Sequence, residues 1–264
     1  MGRIIAVTNQ KGGVGKTTTC VNLAASLAAN RRQVLLIDLD PQGNATVGAG
    51  LDRREVDPTV YDVLMGQTSL SAATTTIAEC GFDVVPANGD LTAAEVELLS
   101  RDRREQHLRE ALQTRAGKYD YVLIDCPPAL NILTLNALVA AHSVLIPIQC
   151  EYFALEGLTA LLDTIRGVQS SANPALTIDG LLRTMYDARN NLATQVGEQL
   201  SAHFATQLYQ TLIPRNVRLA EAPSHGIPAL AYDRASRGAL AYMALATEME
   251  RRHRSGSSNP AMPA

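Results

Sequence analysis

The 264-residue sequence contains no tryptophan, only 4% aromatic residues and four cysteines. Scarce aromatics exclude a stacking groove for single-stranded nucleic acid, which needs several exposed rings. Cys20, Cys80, Cys126 and Cys150 are scattered, with no C-x-x-C pair and no histidine at ligand spacing. That argues against zinc and against a disulfide framework, and leaves small core residues as the plainer role. No segment approaches the ~18 uninterrupted apolar residues of a membrane span. The apolar run 1–7 is too short for a signal peptide, and Ala6 stands where a myristoylation signal wants Ser or Thr. The cytoplasm is therefore the expected compartment.

What is present suits a buried core: 46% hydrophobic and 19% charged residues. The net charge of -3 conceals an asymmetry. Residues 1–182 carry 14 Lys+Arg against 20 Asp+Glu, whereas residues 183–264 carry 9 against 6, all nine cations being arginine. Arginine's planar fork suits phosphate, so a basic face on an acidic protein points weakly to nucleic acid.

Apolar β-branched runs at 3–8, 33–38, 83–86, 119–125, 143–147 and 177–185 alternate with helical patterns at 16–30, 93–99, 104–116, 132–141, 155–168, 191–207 and 236–252. Such alternation predicts an α/β fold, a twisted, mostly parallel sheet with helices on both faces. No linker or internal repeat divides the series, so residues 1–252 are expected to form one domain. Residues 253–264, ending Ser-Gly-Ser-Ser-Asn-Pro-Ala-Met-Pro-Ala, are expected to be a disordered tail.

The first strand runs into Asn9-Gln10-Lys11-Gly12-Gly13-Val14-Gly15-Lys16-Thr17-Thr18 and then a helix. Strand, glycine loop and helix in that order form a phosphate-binding P-loop: glycines let backbone N–H groups turn inward, and the helix N-terminus adds partial positive charge. Lys16 is placed for the β- and γ-phosphates of ATP and Thr17 for Mg²⁺. The second strand ends in Asp38-Leu39-Asp40-Pro41, two carboxylates beside the loop. A later strand, Tyr121-Val122-Leu123-Ile124, ends at Asp125. Alone that Asp is a common turn former; after a P-loop it reads as a Mg²⁺ partner. No histidine or serine triad or cysteine nucleophile accompanies these motifs, so catalysis is expected to be positioning and electrostatics.

Gln10 replaces the ordinary first glycine and Lys11 opens the loop, so that Lys11-Gly12-Gly13-Val14-Gly15-Lys16-Thr17 resembles the deviant Walker A motif of the ParA/MinD family. The likeness to chromosomal, Soj-like ParA proteins extends from Ile4 to about Glu250, with late landmarks at 184–191 and 213–226. It implies a P-loop ATPase whose Lys11 reaches the nucleotide of a second subunit, so that Mg·ATP drives a sandwich homodimer. The resemblance makes Lys11, Lys16 and Asp40 catalytic, Asp40 orienting water in switch I. It puts Thr17, Asp38 and Asp125 around Mg²⁺, some through water, and Asp125-Cys126-Pro127-Pro128 in switch II, followed by 129–134. Met185, Pro214 and Asn216 join residues 11–18 as nucleotide contacts. Arg189 and Arg218 fall where the family touches double-stranded DNA without reading bases, and Arg215, Arg234 and Arg237 extend that patch. The alternative for these arginines is surface ion pairing with Asp187, Glu221 and Asp233. A ParB-like centromere-binding partner, nucleoid association and no membrane complete the implied picture. The sequence begins at the first strand, so no helix-turn-helix extension and no operator reading are expected.

Three relatives of the motif stay as alternatives. A membrane-cycling MinD-like ATPase needs a C-terminal amphipathic helix, and 251–264 offers Gly256, Pro260 and Pro263. An iron–sulfur reductase resembling nitrogenase iron protein needs cluster cysteines at the dimer axis; Cys126 lacks their glycine-flanked context. A small-molecule ligase or kinase related to dethiobiotin synthetase needs a substrate motif, which is not evident.

Overall fold

A computed structural model describes residues 2–113 and 116–255. The strands are β1 (Arg3–Val7), β2 (Val34–Asp38), β3 (Thr75–Ile77), β4 (Phe82–Val85), β5 (Tyr121–Asp125), β6 (Ser143–Gln149) and β7 (Thr177–Thr184). They form one sheet in the order β3-β4-β2-β5-β1-β6-β7. Every pairing is parallel except that of β3 with β4. The helices are α1 (Lys16–Ala29), α2 (Asn44–Gly48), α3 (Val60–Leu64), α4 (Leu91–Glu97), α5 (His107–Gln113), α6 (Ile132–Ala140), α7 (Ala154–Ser171), α8 (Asn191–Phe204), α9 (Val217–Glu221), α10 (Ala229–Tyr232) and α11 (Arg237–Arg254).

Alternation along each strand feeds two separate cores. Ile4, Ala6, Leu35, Ile37, Val122 and Ile124 face one cluster, which α3 to α8 cover. Ile5, Val7, Val34, Leu36, Tyr121 and Leu123 face the other, covered chiefly by α1 and α11. Central strands apolar on both sides thus follow from burial on both sides. Each fully buried Leu or Ile contributes roughly 1.5–3 kcal/mol of transfer free energy.

The expected α/β sheet is present, with differences in detail. Edge strand β3 has no apolar run to announce it, being polar and largely exposed. The helix expected over 104–116 starts at His107, because Arg103 adopts φ +47° and breaks the helical path; 114–115 lie outside the described residues. At the C-terminus α11 passes 252 and runs to Arg254, because His253 Nε2 lies 2.7 Å from the buried Asp179 carboxylate and Nδ1 3.2 Å from Tyr121 Oη. The rest of the expected tail, 256–264, lies outside the described residues.

Parallel register decides where chemistry collects. Val7 pairs with Asp125, and Asp38 pairs with Asp125, so β1, β2 and β5 end side by side at the C-terminal edge. This is where open α/β sheets hold ligands.

Candidate nucleotide site

The loop after β1 turns on Gly13 (φ +75°) and Gly15 (φ +87°), left-handed conformations that a side chain resists. Gly15 is the N-cap of α1, so the first turn of that helix opens toward the loop's concave side. Two neighbours brace the loop. Asn9 Nδ2 donates to Pro147 O at 2.8 Å while its Oδ1 accepts from Lys11 N at 3.0 Å, and Thr184 Oγ1 donates to Val14 O at 2.7 Å. Lys16 is buried, its Nζ donating to Lys11 O at 3.3 Å. Burial lowers its pKa, with Asp125 opposing. A buried ammonium in that state is short of anionic partners, which phosphate oxygens supply.

Asp125 is fully buried; Oδ1 accepts from the Cys20 thiol at 3.5 Å and Oδ2 has no partner. Burial, then the nearby Asp38 charge, raises its pKa, with the Thr17 hydroxyl opposing. An orphaned carboxylate oxygen beside a hydroxyl is a donor set that a hard divalent cation takes. Asp38, which pairs in register with Asp125, gives its oxygens to its own loop. Its Oδ1 accepts from Asp40 N at 3.2 Å and its Oδ2 from Thr46 N at 2.8 Å and Thr46 Oγ1 at 2.7 Å. Thr46 Oγ1 in turn accepts from Ala87 N at 2.9 Å. Asp40 is buried and accepts from Gln42 N at 2.9 Å. Lys11 Nζ forms an ion pair with Glu151, at the start of the segment after β6.

Beyond the loop, Met185 adopts φ +48°, and its Cε lies 4.0 Å from where a Cβ on Gly15 would stand. Pro214 bridges Tyr186, whose N–H donates to Ile213 O at 2.9 Å. Asn216 caps α9, its Oδ1 accepting from Arg218 N at 3.1 Å. Arg189, Arg215 and Arg237 line one cleft of about 870 Å³ with Tyr186, Pro214 and Leu240. Arg189 is paired with Asp187 at 2.8 Å although its side chain is 90% exposed. Arg218 stands apart, between Glu221 at 2.7 Å and Asp233 at 3.4 Å.

A sequence-family profile described as an AAA domain matches residues 2–178. Sporulation initiation inhibitor protein Soj of Bacillus subtilis is 53% identical over 249 residues, 94% of this chain and 98% of that protein. Chromosome partitioning protein ParA of Caulobacter vibrioides is 52% identical over 254 residues, 96% of this chain and 95% of that one. The chain belongs to the Soj/ParA family of chromosome-partitioning ATPases. A crystal structure from Mycobacterium smegmatis, described as cobyrinic acid a,c-diamide synthase with bound ADP and magnesium, is 39% identical. It superimposes with a TM-score of 0.85 over 100% of both chains.

Of the residues the Soj/ParA resemblance singled out, Lys16, Thr17 and Asp125 meet at one point, with Asp40 close enough for its charge to act on both Lys16 and Asp125. The arginines divide into a cleft trio and the isolated Arg218, while Arg234 is exposed next to Asp233. Sequence reasoning missed Asn9, Thr184 and Glu151, which hold the phosphate loop or its Lys11, and Thr46, which holds Asp38. Asn9 alone had a local signal, as a turn-forming residue two positions before the amide it accepts.

Proposed function

We propose that this chain is a DNA-partitioning switch run by Mg·ATP. Nucleotide binding closes a sandwich homodimer, the dimer binds double-stranded DNA without reading sequence, and slow hydrolysis releases it. In this reading Lys16 and the loop amides hold the triphosphate, and Thr17 and Asp125 hold the metal. When bound there, Mg²⁺ would supply positive charge against the charge of the triphosphate. Asp40 orients the attacking water, Lys11 of each copy neutralises charge on the other's nucleotide, and Met185, Pro214 and Asn216 border the base. A ParB-like centromere-binding protein accelerates turnover, and the protein works in the cytoplasm on the nucleoid. Among the described residues no helix is long and apolar enough to cross a membrane.

One observation carries the reading: β7 and its extension touch both places. Thr184 clamps Val14 of the phosphate loop, and five residues on Arg189 lines the arginine cleft. The ion pair that occupies Arg189 is exposed, and such pairs are worth about 0–1 kcal/mol, so DNA phosphates can displace Asp187. A few arginines per subunit bind weakly; doubling them in a dimer raises avidity without new contacts.

DNA binding is measured without nucleotide, with ADP and with ATP, in low and moderate salt. Asp40→Ala should bind ATP, dimerise and hold DNA without hydrolysis, with affinity falling steeply as salt rises. Arg189→Ala with Arg218→Ala should dimerise yet lose DNA by at least tenfold. A double variant that retains parental affinity sinks the assignment of the surface. The name of the Mycobacterium smegmatis structure suggests a second reading, a metabolic synthase. ATP turnover accelerated by cobyrinic acid and indifferent to DNA would favour it.

A further inference from the structure

The phosphate loop is open at one end and backed at the other. A Cβ added to Gly12 or Gly13 would meet nothing within 4 Å, whereas one on Gly15 would stand 3.8 Å from Thr184 Cγ2 and 4.0 Å from Met185 Cε. Gly15 is also where the loop becomes helix: Thr19 N donates to Gly15 O at 2.9 Å, while Gly15 N–H has no backbone acceptor among the described residues. A free amide at this position is one the loop can offer to a phosphate oxygen.

Gly15 does not by itself fix which way that amide points. At φ +87° it is left-handed, and glycine populates positive and negative φ about equally. Turning the Val14–Gly15 peptide over would bring φ to roughly −90°, an equally allowed value, and would aim a carbonyl at the phosphates in place of an N–H. A choice between the two has to come from outside the loop. Because the peptide unit is planar and trans, Val14 C=O and Gly15 N–H point in opposite directions, so whatever holds the carbonyl aims the amide. Thr184 Oγ1 holds it, donating to Val14 O at 2.7 Å. Val14 and Thr184 are both buried, and a carbonyl left unpaired there is costly.

Thr184 is itself firmly placed. It ends β7 in register with Gln149 of β6, and two residues on Tyr186 N donates to Ile213 O at 2.9 Å. Between them Met185 keeps φ +48°, a conformation that persists in a residue with a side chain only where its surroundings over-determine it.

We propose that Thr184 is a positioning residue for nucleotide binding: by holding Val14 O, its hydroxyl keeps Gly15 N–H turned toward the phosphates. The proposal rests on the reading in which the loop amides hold the triphosphate, and adds to it the residue that aims one of them.

The full chain is titrated with a fluorescent ADP analogue and Mg²⁺ well below its melting midpoint, and the midpoint is measured on the same preparation. Thr184→Val keeps the shape and removes the hydroxyl, and should weaken binding by about tenfold, the loss of one hydrogen bond to a charged group. Thr184→Ser keeps the hydroxyl and removes the methyl, and should bind like the parent. A valine variant that melts lower but binds like the parent makes the bond a structural one and overturns the proposal. A serine variant as weak as the valine one also overturns it, tracing the effect to the methyl packed behind Gly15. If the valine variant does not fold, Thr184→Ala is read in its place, and failure of both to fold where serine folds overturns the proposal as well. A parent that binds no ADP overturns the nucleotide reading itself, a result distinct from failure of Thr184 alone.

Discussion

Two buried carboxylates stand at opposite edges of the same sheet and have opposite fates. Asp179, at the N-terminal edge, accepts from Tyr209 Oη at 2.6 Å and Ser143 Oγ at 3.2 Å and faces His253 Nε2 at 2.7 Å. Burial alone would push its pKa up, yet His253, Tyr209 and Ser143 hold it below the ordinary carboxylate range. Asp125, at the C-terminal edge, is just as buried, but Oδ1 accepts from a thiol, Oδ2 has no partner, and the nearby Thr17 hydroxyl offsets only part of the cost of burial. Residue type and burial are the same, so partners make the difference. A satisfied buried charge ties elements together, here β6, β7 and α11; an unsatisfied one is a place prepared for a ligand.

Replacing each carboxylate by its neutral isostere should separate the two roles. Asp179→Asn leaves His253 and Tyr209 incompletely paired and should cost about 3 kcal/mol. At ~2–4 °C per kcal/mol for a chain of this size, the calorimetric midpoint should drop by about 6–12 °C, with ATPase per folded molecule unchanged. The sign with pH follows from the depressed pKa. Asp179's contribution is fully present above the unfolded carboxyl value of about 4 and is lost as pH falls through the lower folded value, so parent and variant should converge in acid. Equal midpoints at neutral pH would make the network ornamental.

Asp125→Asn should do the reverse. Mg-dependent ATPase should fall on the order of 10²–10³-fold, the loss typical of one well-placed electrostatic group. A carboxyl whose pKa is raised by burial costs stability while ionised, so the uncharged amide should leave the nucleotide-free midpoint unchanged or higher. If Asp125→Asn melted several degrees below the parent, Asp125 would be a structural residue like Asp179 and the contrast would fail.

These two residues also mark what a sequence can disclose. Asp125 was legible because an apolar strand ends at it and a P-loop precedes it, both local patterns. Asp179 was not, because its histidine lies 74 residues away and nothing between them repeats. For the same reason His253 read as the start of a polar tail. Lys11 was legible as an anomaly of the loop, whereas Glu151 is 140 residues distant and only the adjacency of β1 and β6 brings it near. The arginine ion pairs were readable because Arg189 with Asp187 and Arg218 with Glu221 lie within one turn. Short helices such as α2 and α9 span too few residues to show a 3.6 period.

Asp38 mixes the two cases and so offers the finest test. It stands at the same edge as Asp125, but its oxygens take three donors, as a structural carboxylate's do. If position decides role, loosening Asp38 should act like losing Asp125; if partners decide, it should act like a mild Asp179. Thr46→Val keeps the side chain's shape, removes the hydroxyl that donates to Asp38, and strips Ala87 N of its acceptor. Partner control predicts a stability loss of about 1–2 kcal/mol, the usual size for one buried hydrogen-bonding group. ATPase should fall less than tenfold, because Asp38 still receives the amides of Thr46 and Asp40 and so still sets the path of the segment bearing Asp40. Unfolding in urea and steady-state turnover, measured on the same preparation, read both quantities. Intact stability with a hundredfold loss of turnover would mean that Asp38 belongs to the metal's surroundings after all, and that position at the sheet edge outranks the partners a carboxylate already has.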